Sequence, residues 1–225
     1  MDGAANYVRL MPVDEDSSEY RWGDVPADQL RGAITEALHT FSRQAVEPDG
    51  RKPAAVLIAI ADRDGEQGIW LTERSPGLRA HAGQLALPGG KLDAGEDARS
   101  AALRELREEL GIAAPRSTVL GLLDDYPTRS GYVMTPVVAW LGHSSDPIPN
   151  PTEVAAVHWI PLADLDRDPL FVPVPGSDRP AIQLPLLGGH LHAPTAAILH
   201  QFREVALHRR PTRVDRMEQP RFAWE

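Results

Sequence analysis

The chain has 225 residues with 42% hydrophobic and 24% charged side chains, ordinary values for a soluble globular protein with one sizeable core. A formal net charge of −9 argues against non-specific binding to nucleic acid or to an anionic membrane, so any polyanionic substrate must be met by local arginines and a bound cation. There is no cysteine, which excludes disulfides and thiolate metal sites and fits a reducing cytoplasm. The N-terminal segment lacks a basic region followed by an apolar core, and no apolar run approaches the roughly 18 residues of a membrane span. A cytoplasmic protein with no membrane and no nucleic-acid partner is therefore expected.

Residues 1–25 are polar and mixed and read as a loose arm. Leu30, Ile34, Leu38 and Phe41 recur at near-helical spacing after Pro26-Ala27-Asp28, and Glu47-Pro48-Asp49-Gly50 is turn chemistry. Residues 1–50 thus form an arm and helix packed on a main domain of residues 51–208. Within that domain, the apolar run Ala54–Ala61 predicts a buried strand. Arg63-Asp64-Gly65 predicts a hairpin turn into a second strand at Gly68–Thr72, and Leu85–Leu87 a short third. Asp97 is placed to cap a helix that runs to Leu110 and stops at Gly111, with Ala102, Leu103, Leu106 and Leu110 as its apolar side. Further strands are expected at Thr118–Leu123, Val133–Leu141 and Val154–Ile160, with a proline-rich loop, Asp146–Pro151, between the last two. A short helix at 162–165, a loop at Pro173–Pro180 and a closing helix at Ala193–Leu207 follow, and the charged segment 209–225 reads as a poorly ordered tail. Strands before, beside and after the central helix predict a mixed sheet between helical layers, an α/β fold.

The chemistry concentrates in Gly90–Ile112. Glu105, Glu108 and Glu109 share one side of the helix, and like charges that close call for a cation. Carboxylate oxygens on a rigid helix suit Mg²⁺ or Mn²⁺, and glycines let the preceding loop approach them closely. Arg104, four residues before Glu108, can hold that carboxylate in place. A charge run of this kind is commonly no more than a solvated helix face. The spacing decides against that: Gly90, Glu96, Arg104, Glu105, Leu106, Glu108, Glu109, Gly111 and Ile112 fill every defined position of G-x5-E-x7-R-E-U-x-E-E-x-G-U, where U is apolar. Seven identities put a chance match on the order of one in a billion per start position.

That pattern is the Nudix box, and the chain resembles a Nudix hydrolase. The resemblance implies an α/β/α sandwich with a mixed sheet, and Mg²⁺- or Mn²⁺-dependent hydrolysis of a nucleoside diphosphate linked to another moiety. It makes Glu105 and Glu109 the main metal ligands, Glu108 a further ligand or the base acting on water, Glu96 a positioning or water-mediated one, and Arg104 part of the catalytic group.

Upstream, Leu71, Thr72, Arg74, Ser75, Arg79, Gly83, Pro88, Gly89 and Gly90 match the signature L-L-T-x-R-S-x3-R-x3-G-x3-F-P-G-G in register. Trp70 and Leu87 replace its first leucine and its phenylalanine. The stretch resembles the coenzyme A pyrophosphatase subgroup of the family. It implies a small-molecule partner, CoA or an acyl-CoA, split into 4′-phosphopantetheine (or its acyl form) and adenosine 3′,5′-bisphosphate. Arg74, Ser75, Arg79, His81, Gly89 and Gly90 are then the substrate-binding candidates, with the two arginines on phosphates. Near the end such enzymes usually carry Trp-Gly-x-Thr-Ala, where this chain has Ala193-Pro194-Thr195-Ala196. Other Nudix substrates (ADP-ribose, a dinucleotide, an oxidised nucleotide) and a non-catalytic Nudix-like module stay open, and a homodimer is compatible with the sequence. His190-Leu191-His192 puts two imidazoles on one strand face, more simply surface residues than a metal site, since no third ligand is near.

Overall fold

The protein was analysed as a computed structural model, which describes residues 25–76, 83–143 and 146–220. In chain order these form α1 (Ala27–Thr40), β1 (Lys52–Arg63), β2 (Glu66–Arg74), β3 (Leu85–Ala86), β4 (Gly89–Lys91), α2 (Ala98–Leu110), β5 (Val119–Leu122) and β6 (Tyr126–Pro127). There follow β7 (Tyr132–His143), β8 (Val154–Pro161), α3 (Leu162–Leu165), β9 (Leu170–Val172), β10 (Ala181–Leu186), β11 (Gly189–His192) and α4 (Thr195–Phe202), the last running into a π-helical turn at Arg203–Leu207.

The central sheet runs β3-β2-β1-β7-β5, with β4 also on β1, β6 on β7 and β8 on β2. β1 and β7 are parallel, from Lys52 opposite Tyr132 to Asp62 opposite His143, and the other pairs are antiparallel, so the sheet is mixed. β1 is apolar and buried from Ala54 to Ala61 because both of its faces are covered there. Val56, Ile58 and Ile60 pack with Leu30, Ile34 and Leu38 of α1 and with α4 on one side. Ala55, Leu57 and Ala59 pack with Ala101, Ala102, Leu106 and Leu110 of α2 on the other. The α/β/α layering expected from the sequence is observed. Ala55 and Ala59 on the α2 side of β1 let the helix lie close to the sheet, while Val56, Ile58 and Ile60 face the opposite layer.

Several expectations are corrected. Ala101 adds a fully buried position to the stripe of α2, and Leu103 packs at its edge, half-buried. Residues 170–192 hold a separate three-stranded antiparallel sheet, β9-β10-β11, not expected as a sheet; the expected loop at Pro173–Pro180 lies between β9 and β10, and the strand face of His190 and His192 is β11. The closing helix starts two residues late, after a cis Ala193–Pro194 bond. The segment 209–220, expected to be loose, is packed: Val214 is buried, Arg213 grips Asp124 at 2.8 Å, and Glu218 accepts from Arg129 at 2.7 Å. Residues 1–24 lie outside the described residues, and so does the loose arm expected there. Among the described residues no helix is long and apolar enough to cross a membrane.

Candidate active site

The site forms where α2 faces the β4 end of the sheet. Asp97 caps the helix as expected, its Oδ1 accepting from the Ser100 amide at 2.9 Å, and Gly111 closes it in the left-handed conformation (φ 69°). Arg116 also grips Asp97 and, with the Ser100 amide, holds its carboxyl well below the usual carboxylate range. At the far end the orphan carbonyls of Glu109 and Leu110 accept from Asn150 N at 2.9 Å and Ile148 N at 2.8 Å. The proline-rich loop thus caps the end of the helix that carries the carboxylates.

Gly89 and Gly90 pair with Val56 and Ala55 of β1, which carries them directly over α2. A Cβ on Gly90 would stand 2.2 Å from Glu105 Oε1, and one on Gly89 would stand 2.3 Å from the Ala55 carbonyl, so only glycine fits at either position. The Gly89 amide donates to Glu109 Oε2 at 3.3 Å.

Arg104 organises the acidic side chains. Its Nη1 donates to Glu105 Oε1 at 2.8 Å and to Glu108 Oε2 at 2.9 Å. Nε and Nη2 grip the two oxygens of Glu96 at 3.1 and 3.0 Å, and Nη2 also reaches the Lys91 carbonyl at 2.9 Å. Glu96 further accepts from the Asp93 amide, so both of its oxygens are engaged in holding Arg104 and the loop. Hydrogen bonding to Arg104 is the largest effect on Glu96 and keeps its carboxyl below the ordinary value. Burial raises Glu105, against the pull of Arg104. Glu109, 3% exposed, is pushed up to about 8, first by burial and then by the Glu105 charge, with the Gly89 amide and Arg74 acting in the opposite direction.

Two desolvated carboxylates one helical turn apart form a hard-oxygen donor pair that lacks a neutralising charge of its own, since Arg104 is shared among Glu96, Glu105 and Glu108. Glu105 and Glu109, beneath a glycine cradle, fit a divalent cation of the Mg²⁺ or Mn²⁺ type. Among the described residues no group of three or more His, Asp or Glu side chains is positioned to hold a metal ion, so the expected donor set converges only in part. Arg104 draws Glu105 and Glu108 to itself, and Glu108, with its side chain 45% exposed, stands furthest out.

Of the upstream candidates, Arg74 ends β2 near Glu109. Its Nε is buried with no hydrogen-bond partner, and its charge acts on Glu109. Ser75 is used locally, its amide donating to the Glu153 carbonyl at 2.9 Å and its hydroxyl reaching the Pro151 carbonyl at 3.4 Å. Arg79 and His81 lie outside the described residues. Glu153 was not singled out as a site residue, yet its charge acts on both Glu105 and Glu109. It sits just before β8, far along the chain, and is brought to the helix by the β2–β8 pairing and by the loop whose Asn150 amide binds the Glu109 carbonyl.

A family profile described as NUDIX domain matches residues 51–181, more than half of the chain. Among curated relatives, an "Uncharacterized Nudix hydrolase NudL" of Klebsiella pneumoniae strain 342 is 41% identical over 119 residues, 52% of this chain and 61% of the relative. Its namesake in Yersinia pestis strain Pestoides F is 38% identical over 141 residues, 57% of this chain and 70% of the relative. The chain therefore spans about six-tenths of the length of the Klebsiella protein. Among solved structures, a MutT protein from Methanosarcina mazei Go1 aligns with 18% identity and a TM-score of 0.47 over 73% of this chain and 97% of that one. With the Nudix box complete on α2 and the family profile spanning the sheet around it, the chain belongs to the NUDIX domain family.

Proposed function

We propose that the protein hydrolyses the diphosphate of coenzyme A or an acyl-CoA, with Mg²⁺ or Mn²⁺, to 4′-phosphopantetheine (or its acyl form) and adenosine 3′,5′-bisphosphate. The observation that carries the reading is the buried pair Glu105–Glu109 beneath Gly89–Gly90, with the unmet Arg74 Nε beside it. A divalent cation bound by that pair would supply Lewis-acid stabilisation of phosphoryl charge and make water more acidic. Arg74 binds a phosphoryl oxygen and orients the diphosphate, satisfying its own buried donor. As a water oxygen attacks phosphorus, its proton passes to a carboxylate of α2. The bridging P–O bond breaks and its electron pair leaves with the departing phosphate. With Glu105 and Glu109 given to the cation, Glu108, the most exposed of the α2 carboxylates, is assigned to receive that proton. Arg104 keeps Glu105 and Glu108 in place while this happens. Arg79 of the same signature is assigned to phosphate as well.

The test is a panel of CoA, dephospho-CoA, ADP-ribose, dinucleotides and oxidised nucleotides with each metal, with products identified by mass. CoA is expected to give the highest kcat/KM, and Glu109→Gln to abolish its turnover. A different preferred substrate would move the protein to another Nudix specificity. CoA turnover that survives Glu109→Gln would remove α2 from the mechanism.

A further inference from the structure

Lys91 ends β4 two residues beyond Gly89, whose amide binds Glu109. A Cβ on Gly90 would meet Glu105, and one on Gly89 would meet the Val56 side chain, so the two glycines look to opposite faces of the sheet. Strand alternation then turns Lys91 to the Gly89 face, the side of α1 and α4. Lys91 stands opposite Ala54 on β1, and Lys52, two residues earlier on β1, stands opposite Tyr132 on β7. Val56 and Met134, in the same alternation, pack in the core on the α4 side, which puts Lys52 and Tyr132 on that face as well. A cavity of about 120 Å³ on this side touches Arg74, Gly89, Val56 and Met134. The two lysines therefore follow the diphosphate position along one face of the sheet.

The Lys91 carbonyl accepts from Arg104 Nη2 at 2.9 Å, which ties its place on β4 to the residue that holds the glutamates. Its ammonium lies 5.9 Å from the centre of the Tyr132 ring, within cation–π range. As diagonal neighbours across the β4–β1 pair, Lys91 and Lys52 stand roughly 7–8 Å apart, and their flexible stems let both ammoniums reach one anion. Both side chains are exposed, and among the described residues neither makes an ion pair. In a chain of net charge −9, such a pair is a local attraction for an anion. Beyond its diphosphate, CoA carries one anionic group, the 3′-phosphate, and its pantetheine arm is neutral. From Gly89 to Lys91 the strand advances roughly 7 Å, comparable to the reach of one ribose between its 5′ and 3′ phosphates. Resting on the CoA reading above, we infer that Lys91 and Lys52 bind the 3′-phosphate of the substrate, so that its nucleotide half lies along the α4 face of β4 and β1. Tyr132 is a positioning residue, its ring holding the Lys91 ammonium beside Lys52.

The test compares wild type, Lys91→Gln, Lys52→Gln and the double variant. It measures steady-state hydrolysis of CoA and of dephospho-CoA, which lacks the 3′-phosphate, and calorimetric binding of adenosine 3′,5′-bisphosphate. In the double variant kcat/KM for CoA is expected to fall about tenfold or more beyond any change for dephospho-CoA, through KM, the sign of lost uniform binding. Bisphosphate affinity falls by a similar factor, and each single variant goes part of the way. Both positions are exposed, so the variants keep the fold. A preference for CoA over dephospho-CoA that is unchanged in the double variant overturns the inference while leaving CoA hydrolysis standing. Equal losses on both substrates overturn it too, by giving the lysines to a part of the substrate that the two share. A wild type inactive on CoA overturns the underlying reading as well.

Discussion

Gly90 and Glu105 are fitted to each other: a Cβ on the glycine would stand 2.2 Å from the Glu105 Oε1 atom. Gly90→Ala therefore has to displace the Glu105 carboxylate, proposed above as a metal ligand, or lift β4 from β1. It is expected to lower kcat by about 100-fold, since a displacement near 1 Å at a reacting centre has that effect. The fold should survive, with a loss of about 1–3 kcal/mol typical of overpacking. Paired measurements of kcat and of denaturant midpoint check this.

Arg104 has five protein acceptors and touches three of the box glutamates. Arg104→Ala is expected to weaken Mn²⁺ binding and turnover by about 10- to 100-fold, the usual effect of losing a residue that orients metal ligands. Arg104→Lys restores the charge but not the fork, so it should recover little. Mn²⁺ titration followed by electron paramagnetic resonance reads the affinity directly.

The raised Glu109 makes stability depend on pH. Between the ordinary glutamate value of 4.5 and about 8, the folded state keeps a proton on Glu109 that the unfolded state has lost. Stability contributed by this group is full below that window and falls as pH rises through it, by up to about 1.4 kcal/mol per pH unit. Glu109→Gln is expected to flatten the slope and to raise Tm at pH 7.5 to 8 in the absence of divalent metal. Added Mg²⁺ should raise Tm of the wild type and not of the variant. Thermal melts from pH 5 to 8.5 test both statements.

Asp97→Ala removes the cap of α2 and the Arg116 contact. The expected loss is about 1 kcal/mol, or about 2–4 °C in Tm for a chain of this size. The Asp97 carboxyl is held below its ordinary value, so the difference from wild type should be complete at neutral pH and shrink as pH falls below about 4.

Arg213→Ala tests the packed C-terminal segment. Asp124, 6% exposed, also receives Gln201 at 2.7 Å and the Gln44 amide at 2.7 Å, so the loss of Arg213 leaves it partly compensated. A destabilisation of about 1–3 kcal/mol is expected, with KM for substrate unchanged. A variant as stable as wild type would mean that the segment 209–220 adds nothing to the fold.

Most of α2 could be read from the sequence because its determinants are contiguous: the Asp97 cap, the Gly111 stop and the glutamate spacing all lie within a few turns. β1 was equally plain, since an unbroken apolar run means burial on both faces. Residues that meet through the sheet were not legible. Glu153 reaches the site because β8 pairs with β2 and the loop before it binds the end of α2, and Arg213 finds Asp124 across 89 positions. The small sheet escaped notice because its strands are three to six residues long, with Pro185 inside one and Gly189 opening another. The apolar stripe of α2 is wider than the sequence suggested: Leu103 packs at its edge, half-buried, and Ala101 adds a fully buried position.

The loop before β8 has a mechanical consequence. Its amides at Ile148 and Asn150 hold the last carbonyls of α2, and two residues after it Ser75 N binds the Glu153 carbonyl at the end of β2. The axial position of the helix is therefore referenced to the strand that carries Arg74, not to solvent. The α2 carboxylates and Arg74 share one frame, and a one-residue insertion between 146 and 152 would shift them relative to each other while leaving every box residue intact.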